Sequence, residues 1–162
     1  MTVLSVEITA EAGDWPSNLE PLAERALVAA LEGGGYVVEG LCEVSVLLTD
    51  DAAQKELNRR WRDTDSTTNV LSFPSLGPED AIEGMLGDIS LAFETLMREA
   101  ADLEKPFEAH FTHLLVHAML HLLGYDHLTD EEALAMEARE TDIMAVLGFA
   151  DPYDGQELID SI

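Results

Sequence analysis

The chain has little positive charge. Only 8 of its 162 residues are lysine or arginine, against 33 aspartates and glutamates, which gives a formal net charge of −25. Long-range repulsion from such a charge slows the approach of polyanions. The overall charge, taken alone, therefore argues against a nucleic-acid partner.

Cysteine and long apolar runs are also scarce. The single cysteine, Cys42, cannot form a bridge within the chain, so a disulfide framework is excluded. No positively charged start followed by a long apolar stretch indicates a signal peptide or a membrane span. Hydrophobic residues make up 47% of the chain, which is enough for an ordinary core at this length. We expect one domain over residues 1–162, in the cytoplasm and with no membrane partner.

The few basic residues are not evenly distributed. Lys55, Arg59, Arg60 and Arg62 are four of the eight, and they stand within eight positions that also contain Trp61. Such a segment can hold phosphates by charge-assisted hydrogen bonds and stack an aromatic ring on a base. The alternative is an ordinary solvated helix face with Trp61 in the core, and the sequence favours neither.

Apolar periodicity and turn residues predict an α+β fold. The segment 63–68 is expected to be a loop, and the acidic tail at about 151–162 to be loosely ordered. Thr129 and Glu132 have the spacing of a capping box that opens the last helix. We expect a small mixed four-stranded sheet packed with about five helices and a metal site at the end of a central helix. The predicted strands are residues 2–9, 43–49, 69–73 and 86–91, and the predicted helices are 19–32, 51–61, 93–103, 106–123 and 130–147.

All five histidines fall within eighteen residues, and three of them have the spacing of metal ligands. His117 and His121 are four positions apart, so one helix can direct both imidazoles at the same point. Gly124 can end that helix with a left-handed residue, after which the chain can turn back to present His127. Three imidazoles leave a tetrahedral Zn²⁺ one open position for water, as in catalytic sites.

The same spacing occurs in the metzincin proteases, whose pattern is HExxHxxGxxH. Here the residue after the first histidine is Ala118, where the protease has the glutamate that acts as its general base. A peptidase or small amidase is therefore the weaker interpretation of this site. His110 lies roughly 10 Å along the helix from His117, too far to share its metal. His113 either lines the substrate cleft or is a packing residue.

Four sequence blocks, in this order and spacing, resemble the YbeY family of bacterial rRNA maturation factors. They are LNRRWR at 57–62, NVLSFP at 69–74, LGDI at 86–89 and HAMLHLLGYDH at 117–127, and the segment LGFADPY at 147–153 is also similar. The chain differs from the family pattern at Ala118, where glycine is usual. A match to all four blocks in order is highly specific, whereas a match to one block is not.

The resemblance implies a metal-dependent endoribonuclease specific for single-stranded RNA, which acts in 16S rRNA 3′-end maturation and in ribosome quality control. It implies one Zn²⁺ per chain, held by His117, His121 and His127, although other divalent metals are possible. The arginine characteristic of the family corresponds to Arg62, which we assign as catalytic. The expected partners are single-stranded RNA, 16S rRNA and the ribosome or its proteins, and no DNA partner is expected.

We also expect further residues to belong to the site. Arg59, Arg60, Trp61 and His113 are candidates for substrate binding. Asp126 would orient a ligand imidazole by a hydrogen bond, or would only form the turn after Gly124. Another alternative is a ribosome assembly factor in which zinc is mainly structural, with an acidic surface that docks on basic ribosomal proteins.

Overall fold

The fold comes from a computed structural model that describes residues 4–62 and 68–153, without the side chain of Arg62. These residues form an α+β fold of four strands and five helices, which confirms the expected fold class. Their order along the chain is β1 (Leu4–Ala10), α1 (Glu20–Gly33), β2 (Val38–Thr49), α2 (Asp51–Arg62), β3 (Val70–Pro74), β4 (Ile82–Ala92), α3 (Phe93–Asp102), α4 (Phe107–Leu122) and α5 (Asp130–Val146).

The four strands make one mixed sheet in the order β1-β2-β4-β3. β1 and β4 both run parallel to β2, whereas β3 is antiparallel to β4 and lies at the edge. Gly87 of β4 has φ +148°, and a Cβ atom there would come within 2.4 Å of the Phe73 carbonyl oxygen. The close approach of β3 to β4 at this point therefore requires glycine.

One face of the sheet carries the hydrophobic core, and α4 crosses that core. Alternate residues of β2, namely Cys42, Val44, Val46 and Leu48, are buried on this face. Helix α4 contacts α1, α3, α5, β3 and β4, and its Phe111 and Met119 are fully buried. A helix that is largely buried and enclosed on several sides is a rigid support for the side chains at its end.

Helix α2 packs on the opposite face of the sheet. It begins after Asp50, whose carboxylate accepts a hydrogen bond from the Ala53 N–H at 2.9 Å. The buried Gln54 donates to the Ser90 carbonyl at 3.0 Å and accepts from the Ser90 hydroxyl at 2.7 Å. This reciprocal pair fixes α2 to β4 and sets the position of the basic segment.

Two strands begin earlier than their sequence pattern predicts. β2 begins at Val38 and β4 at Ile82, where the apolar alternation suggested residues 43 and 86. The register between them shifts between Val38 and Cys42 and again between Glu43 and Val44. Such bulges break the two-residue alternation by which a strand is recognised, so the irregular halves of both strands read as loop.

The structure describes only part of the predicted loop and only part of the predicted tail. Residues 63–67 of the expected loop and 154–162 of the expected tail lie outside the described residues. At the start of that tail, Pro152 is buried and the Tyr153 hydroxyl donates to Glu140 at 2.7 Å. Residues 151–153 are therefore packed against the domain.

Within the described ranges, no helix combines the length and apolar character that crossing a membrane needs.

Candidate metal centre

The end of α4 turns the chain back on itself. The N–H groups of Leu123, Gly124 and Tyr125 bond to carbonyls of the last helical turn, and the Tyr125 N–H reaches the Leu120 oxygen at 3.0 Å. Gly124 has φ +115°, as expected for the residue that ends the helix. The reversal places His127 beside the helix face that carries His117 and His121.

The three histidines converge on one point. Each offers one nitrogen, and these ligand atoms all lie within 4.8 Å of one another. The ring centroids of His117 and His121 are 4.7 Å apart, and those of His121 and His127 are 5.1 Å apart. His117 and His121 are half-buried and His127 is exposed, so one side of the cluster is open. Three convergent imidazoles with an open side fit a divalent metal with room for a further ligand.

The electrostatic surroundings keep His121 ready to bind a cation. Burial, together with the neighbouring His117 and His127, lowers the pKa of His121 to about 4. The imidazole is therefore neutral near pH 7, with a lone pair available to a metal.

A carboxylate from another helix lies behind His117. Glu140 of α5 is fully buried, and its Oε2 accepts a hydrogen bond from His117 Nδ1 at 3.1 Å. Its Oε1 lies 2.5 Å from His113 Nε2 and accepts the Tyr153 hydroxyl at 2.7 Å. Burial acts to raise the pKa of Glu140, but the hydrogen bonds from His113 and His117 outweigh it and lower the pKa to about 2. The group is therefore a buried carboxylate anion.

Sequence reasoning missed Glu140, although a signal was present. The buried residues of α5 are Met136, Glu140, Ile143 and Met144, which have the spacing of one helix face. A glutamate inside an apolar stripe needs a partner, because an unpaired buried charge is very costly. That anomaly could have marked Glu140 as a partner of the histidine cluster.

The other two histidines of α4 each pair with a carboxylate. His113 packs its ring edge-to-face on Tyr153 at 5.2 Å, and burial lowers its pKa despite the nearby Glu140. His110 Nε2 lies 2.8 Å from a carboxylate oxygen of Glu99, which also accepts from the Asn69 side chain at 3.0 Å. Neither histidine is among the described residues that line the cleft beside the metal ligands.

That cleft has a volume of about 1190 Å³ and runs from the three histidines toward β3 and the segment before β4. Tyr36 lines it with its side chain 44% exposed and packs edge-to-face on Tyr125 at 5.6 Å. Acidic side chains from Glu39, Asp80 and Asp126 also line it. The cleft is large enough for several nucleotides, but its described lining carries more negative than positive charge.

The residues of the basic segment face different directions. Asn58 lines the cleft, and Arg62 stands four positions later on the same helix face, with its side chain outside the described atoms. Arg59 and Arg60 are exposed and pair with Glu56 at 2.5 and 3.7 Å.

Trp61 is 65% exposed and lines a separate groove of about 550 Å³ with Leu57 and Phe73. The structure therefore excludes a core position for Trp61. It also leaves the side chains of Arg59, Arg60 and Trp61 out of the cleft lining.

Asp126 has a local contact. Its Oδ1 accepts a hydrogen bond from the backbone N–H of the next residue, His127, at 2.8 Å. The carboxylate that bonds a ligand imidazole at its other nitrogen is that of Glu140. Asp126 also lines the cleft, as His117, His121 and His127 do.

Comparison with known proteins finds one family throughout. The family profile described as "Endoribonuclease YbeY" matches residues 7–148. A protein named Endoribonuclease YbeY from Sinorhizobium fredii is 50% identical, over 100% of this chain and 99% of its own length. The protein of the same name from Rhizobium meliloti is 50% identical, over 96% of this chain and 98% of its own length.

Among solved structures, the solution structure of TM1509 from Thermotoga maritima is similar, with a TM-score of 0.55 and 26% identity. The alignment covers 91% of this chain and 97% of that protein. The similarity therefore extends over most of the chain.

Proposed function

Because the chain belongs to the YbeY endoribonuclease family, we propose that it is a metal-dependent endoribonuclease specific for single-stranded RNA. The observation that supports this most directly is the convergence of His117, His121 and His127 at one end of a cleft of about 1190 Å³. One Zn²⁺ per chain is the proposed cofactor, since three imidazoles with an open side are typical of catalytic zinc sites.

The proposed metal and the residues around the histidines would have different roles in the reaction. When bound, a divalent metal supplies Lewis acidity toward a phosphate oxygen or lowers the pKa of a water molecule. Arg62, on the helix face that carries Asn58 into the cleft, would stabilise the charge that develops on the phosphorus centre. Ala118 is buried and brings no carboxylate to the site, so the proton-transfer group of a zinc protease is absent.

Single-stranded substrates fit the cleft because they can separate their bases. The half-exposed Tyr36 offers a flat ring on which an unpaired base can stack, a contact that a paired base inside a duplex cannot make. Arg59, Arg60 and Trp61 continue α2 beyond the cleft, where we propose that they contact RNA that leaves it. His113 would act from behind the site, through Glu140, and Asp126 from the turn at its edge.

The cellular role is proposed from family membership. We propose that the substrate is 16S rRNA, cleaved in maturation of its 3′ end and in ribosome quality control in the cytoplasm. The strongly acidic surface suits docking on basic ribosomal proteins, which would bring RNA to a molecule that otherwise repels it. DNA is not expected as a substrate.

The proposal is tested by cleavage of a labelled single-stranded RNA and of the same sequence in a duplex. We expect the wild-type protein to cleave the single strand only. The variants His117→Ala and Arg62→Ala should each lose activity by about 10²-fold or more, and Arg62→Ala should retain its zinc. Wild-type rates in both variants would show a contaminating nuclease and would contradict the proposal.

A further inference from the structure

A network of buried hydrogen bonds lies behind the proposed metal site, away from the open side of the histidine cluster. We propose that Glu140, held by His113 and Tyr153, is a positioning residue that fixes the tautomer of His117 and thereby raises the affinity of the site for metal. This inference rests on the proposed metal site and deepens it. It also makes the C-terminal segment up to Tyr153 part of that site.

Glu140 is costly at its position unless it has such a role. The side chain is fully buried, with 0% exposure, and lies among Met136, Ile143 and Met144 on the apolar face of α5. Replacing a buried charged group with a well-packed hydrophobic residue is often neutral or even stabilising. Stability alone therefore does not explain a carboxylate in this stripe, whereas its hydrogen bonds to the neighbouring histidines do.

The hydrogen bonds around Glu140 account for both of its oxygens. An ionised carboxylate only accepts, so His117 Nδ1 and His113 Nε2 must each carry the proton that they direct at it. The Tyr153 hydroxyl donates the third bond. A proton held on Nδ1 of His117 leaves the lone pair on Nε2, the nitrogen at the far side of the ring from Glu140. Nε2 is then free to bind the metal, and the ring cannot rotate without breaking the bond to Glu140.

Tyr153 reaches Glu140 from a segment that is itself anchored. Pro152 is buried, and its carbonyl accepts a hydrogen bond from the Lys105 ammonium. Asp151 Oδ1 accepts from the Tyr153 N–H at 2.8 Å and from the Thr141 hydroxyl at 3.3 Å. These contacts place the Tyr153 ring against His113, with the hydroxyl directed at the carboxylate. The chain after α5 thus closes the network from the side opposite the metal ligands.

A glutamine cannot replace Glu140 in this arrangement. Its amide has one accepting oxygen and one donating nitrogen, while three donors converge on the carboxylate. In either amide orientation at least one donor meets an N–H group, so it loses a buried hydrogen bond or, if it is a histidine, moves its proton to the other ring nitrogen. Glu140→Gln therefore removes the charge and the acceptor pattern while it keeps the shape of the side chain.

The test measures metal affinity and the tautomer of His117 in the full-length protein. Zinc dissociation constants would be obtained by competition with a chromogenic chelator for the wild-type protein, Glu140→Gln and Tyr153→Phe. Asp142→Asn is the matched control, because it removes one negative charge from an exposed position of the same helix. The tautomer of each metal-free protein would be read from the ¹⁵N shifts of the imidazoles.

We expect Glu140→Gln to weaken zinc binding by about 10- to 100-fold. Tyr153→Phe should weaken it by about 3- to 10-fold, the equivalent of one hydrogen bond, and Asp142→Asn should have the wild-type affinity. His117 should carry its proton on Nδ1 in the wild type and lose that preference in Glu140→Gln. If Glu140→Gln does not fold, Tyr153→Phe gives the same comparison with a milder change.

Wild-type affinity and a wild-type tautomer in Glu140→Gln or in Tyr153→Phe would overturn the inference, as would an equal loss of affinity in Asp142→Asn. Neither measurement uses RNA. The loss of zinc affinity could therefore be found in a protein that fails to cleave RNA, in which case the positioning role stands and the proposed activity falls.

Discussion

At the scale of single residues, the histidine cluster shows what a sequence reveals and what it hides. His117, His121 and His127 were recognisable because helical spacing and one glycine bring them together within eleven positions. Glu140 stands 23 positions from His117 on another helix, and only the packing of α5 on α4 brings the two together. A histidine cluster on one helix and the turn after it is thus predictable from spacing, whereas its hydrogen-bonded partner depends on tertiary packing.

The basic segment shows the same contrast between what its sequence predicts and what only the structure reveals. Its composition suggested a surface for RNA, but composition does not say which residues face the cleft. The structure directs Asn58 into the cleft and Trp61 into a separate groove, although the two residues stand only three positions apart. Among the side chains of this segment that the structure describes, the one that lines the cleft is Asn58, a polar residue that the sequence had not singled out.

Substitution of Ala118 should change the stability of the protein but not the rate of RNA cleavage. It is buried in the interior of α4, next to His117, and contributes a methyl group to the core. We expect Ala118→Gly to lower the free energy of unfolding by about 1 kcal/mol, because glycine costs backbone entropy in a helix. Urea denaturation of the metal-free proteins would measure this change. RNA cleavage by the metal-loaded variant should stay within about twofold of wild type, and a large loss of activity would show that the methyl group contacts the substrate.

At the scale of elements, the site depends on how α4 ends and on how α2 is held. The capping box of α5 and the glycine after α4 were predictable, because both are local patterns with a defined geometry. The full lengths of β2 and β4 were not, because the bulges between them remove the alternation on which recognition of a strand relies. Local rules therefore found the elements, and long-range pairing determined their extent.

Gly124 gives a prediction about the turn that presents His127. Its φ of +115° is strained for any residue with a side chain, although the one described atom within 4 Å of an added Cβ would be the Tyr36 hydroxyl oxygen, at 3.5 Å. We expect Gly124→Ala to lower the free energy of unfolding by about 1–3 kcal/mol and to weaken zinc binding, because the turn must shift to relieve the strain. Chemical denaturation and chelator competition would measure the two effects.

Gly40→Ala is the matched control for that substitution. Gly40 has no positive φ, and an added Cβ there would make an ordinary contact with Glu83 at 3.6 Å. It should change neither stability nor zinc affinity appreciably. Equal effects of the two substitutions would show that the conformation of Gly124 is not what matters.

The pair between Gln54 and Ser90 gives a prediction about the attachment of α2. Both residues are buried, and each accepts a hydrogen bond from the other. Gln54→Ala should lower the free energy of unfolding by about 1–3 kcal/mol, since it leaves polar atoms of Ser90 without a partner. It should also slow RNA cleavage by loosening the helix that carries Arg62, while zinc binding stays unchanged.

A double-mutant cycle with Ser90→Ala separates the pair from its surroundings. We expect the two substitutions to be non-additive, with the double variant more stable than the sum of the single losses implies. Strict additivity would mean that the two side chains do not stabilise each other.

At the scale of the whole molecule, the net charge of −25 is the feature that a ribonuclease must accommodate. The cleft itself contains Glu39, Asp80 and Asp126, so RNA is repelled both at a distance and near the site. Four of the eight lysines and arginines lie in the segment of α2, and the metal that we propose would add positive charge at the histidines. Binding must therefore depend on short-range contacts, and screening of the long-range field should help the encounter.

This charge distribution predicts an unusual salt dependence. We expect kcat/KM for a single-stranded RNA to rise as monovalent salt increases from about 10 to about 100 mM, because the Debye length shortens and the repulsion is screened. Most nucleic-acid-binding proteins show the opposite trend. Initial rates at saturating zinc would measure it, with zinc content checked at each salt concentration. A steady decline from the lowest salt would indicate that a basic surface steers the RNA.

The most direct test of the central claim is a titration of metal into metal-free protein, followed by the rate of cleavage of a single-stranded RNA. We predict no cleavage without metal, a linear rise to one equivalent of Zn²⁺ per chain, and a plateau beyond it. His127→Ala should stay inactive and should retain no tightly bound equivalent of metal. Full activity in the metal-free wild-type protein, or in His127→Ala, would contradict the claim that the three histidines hold the catalytic metal.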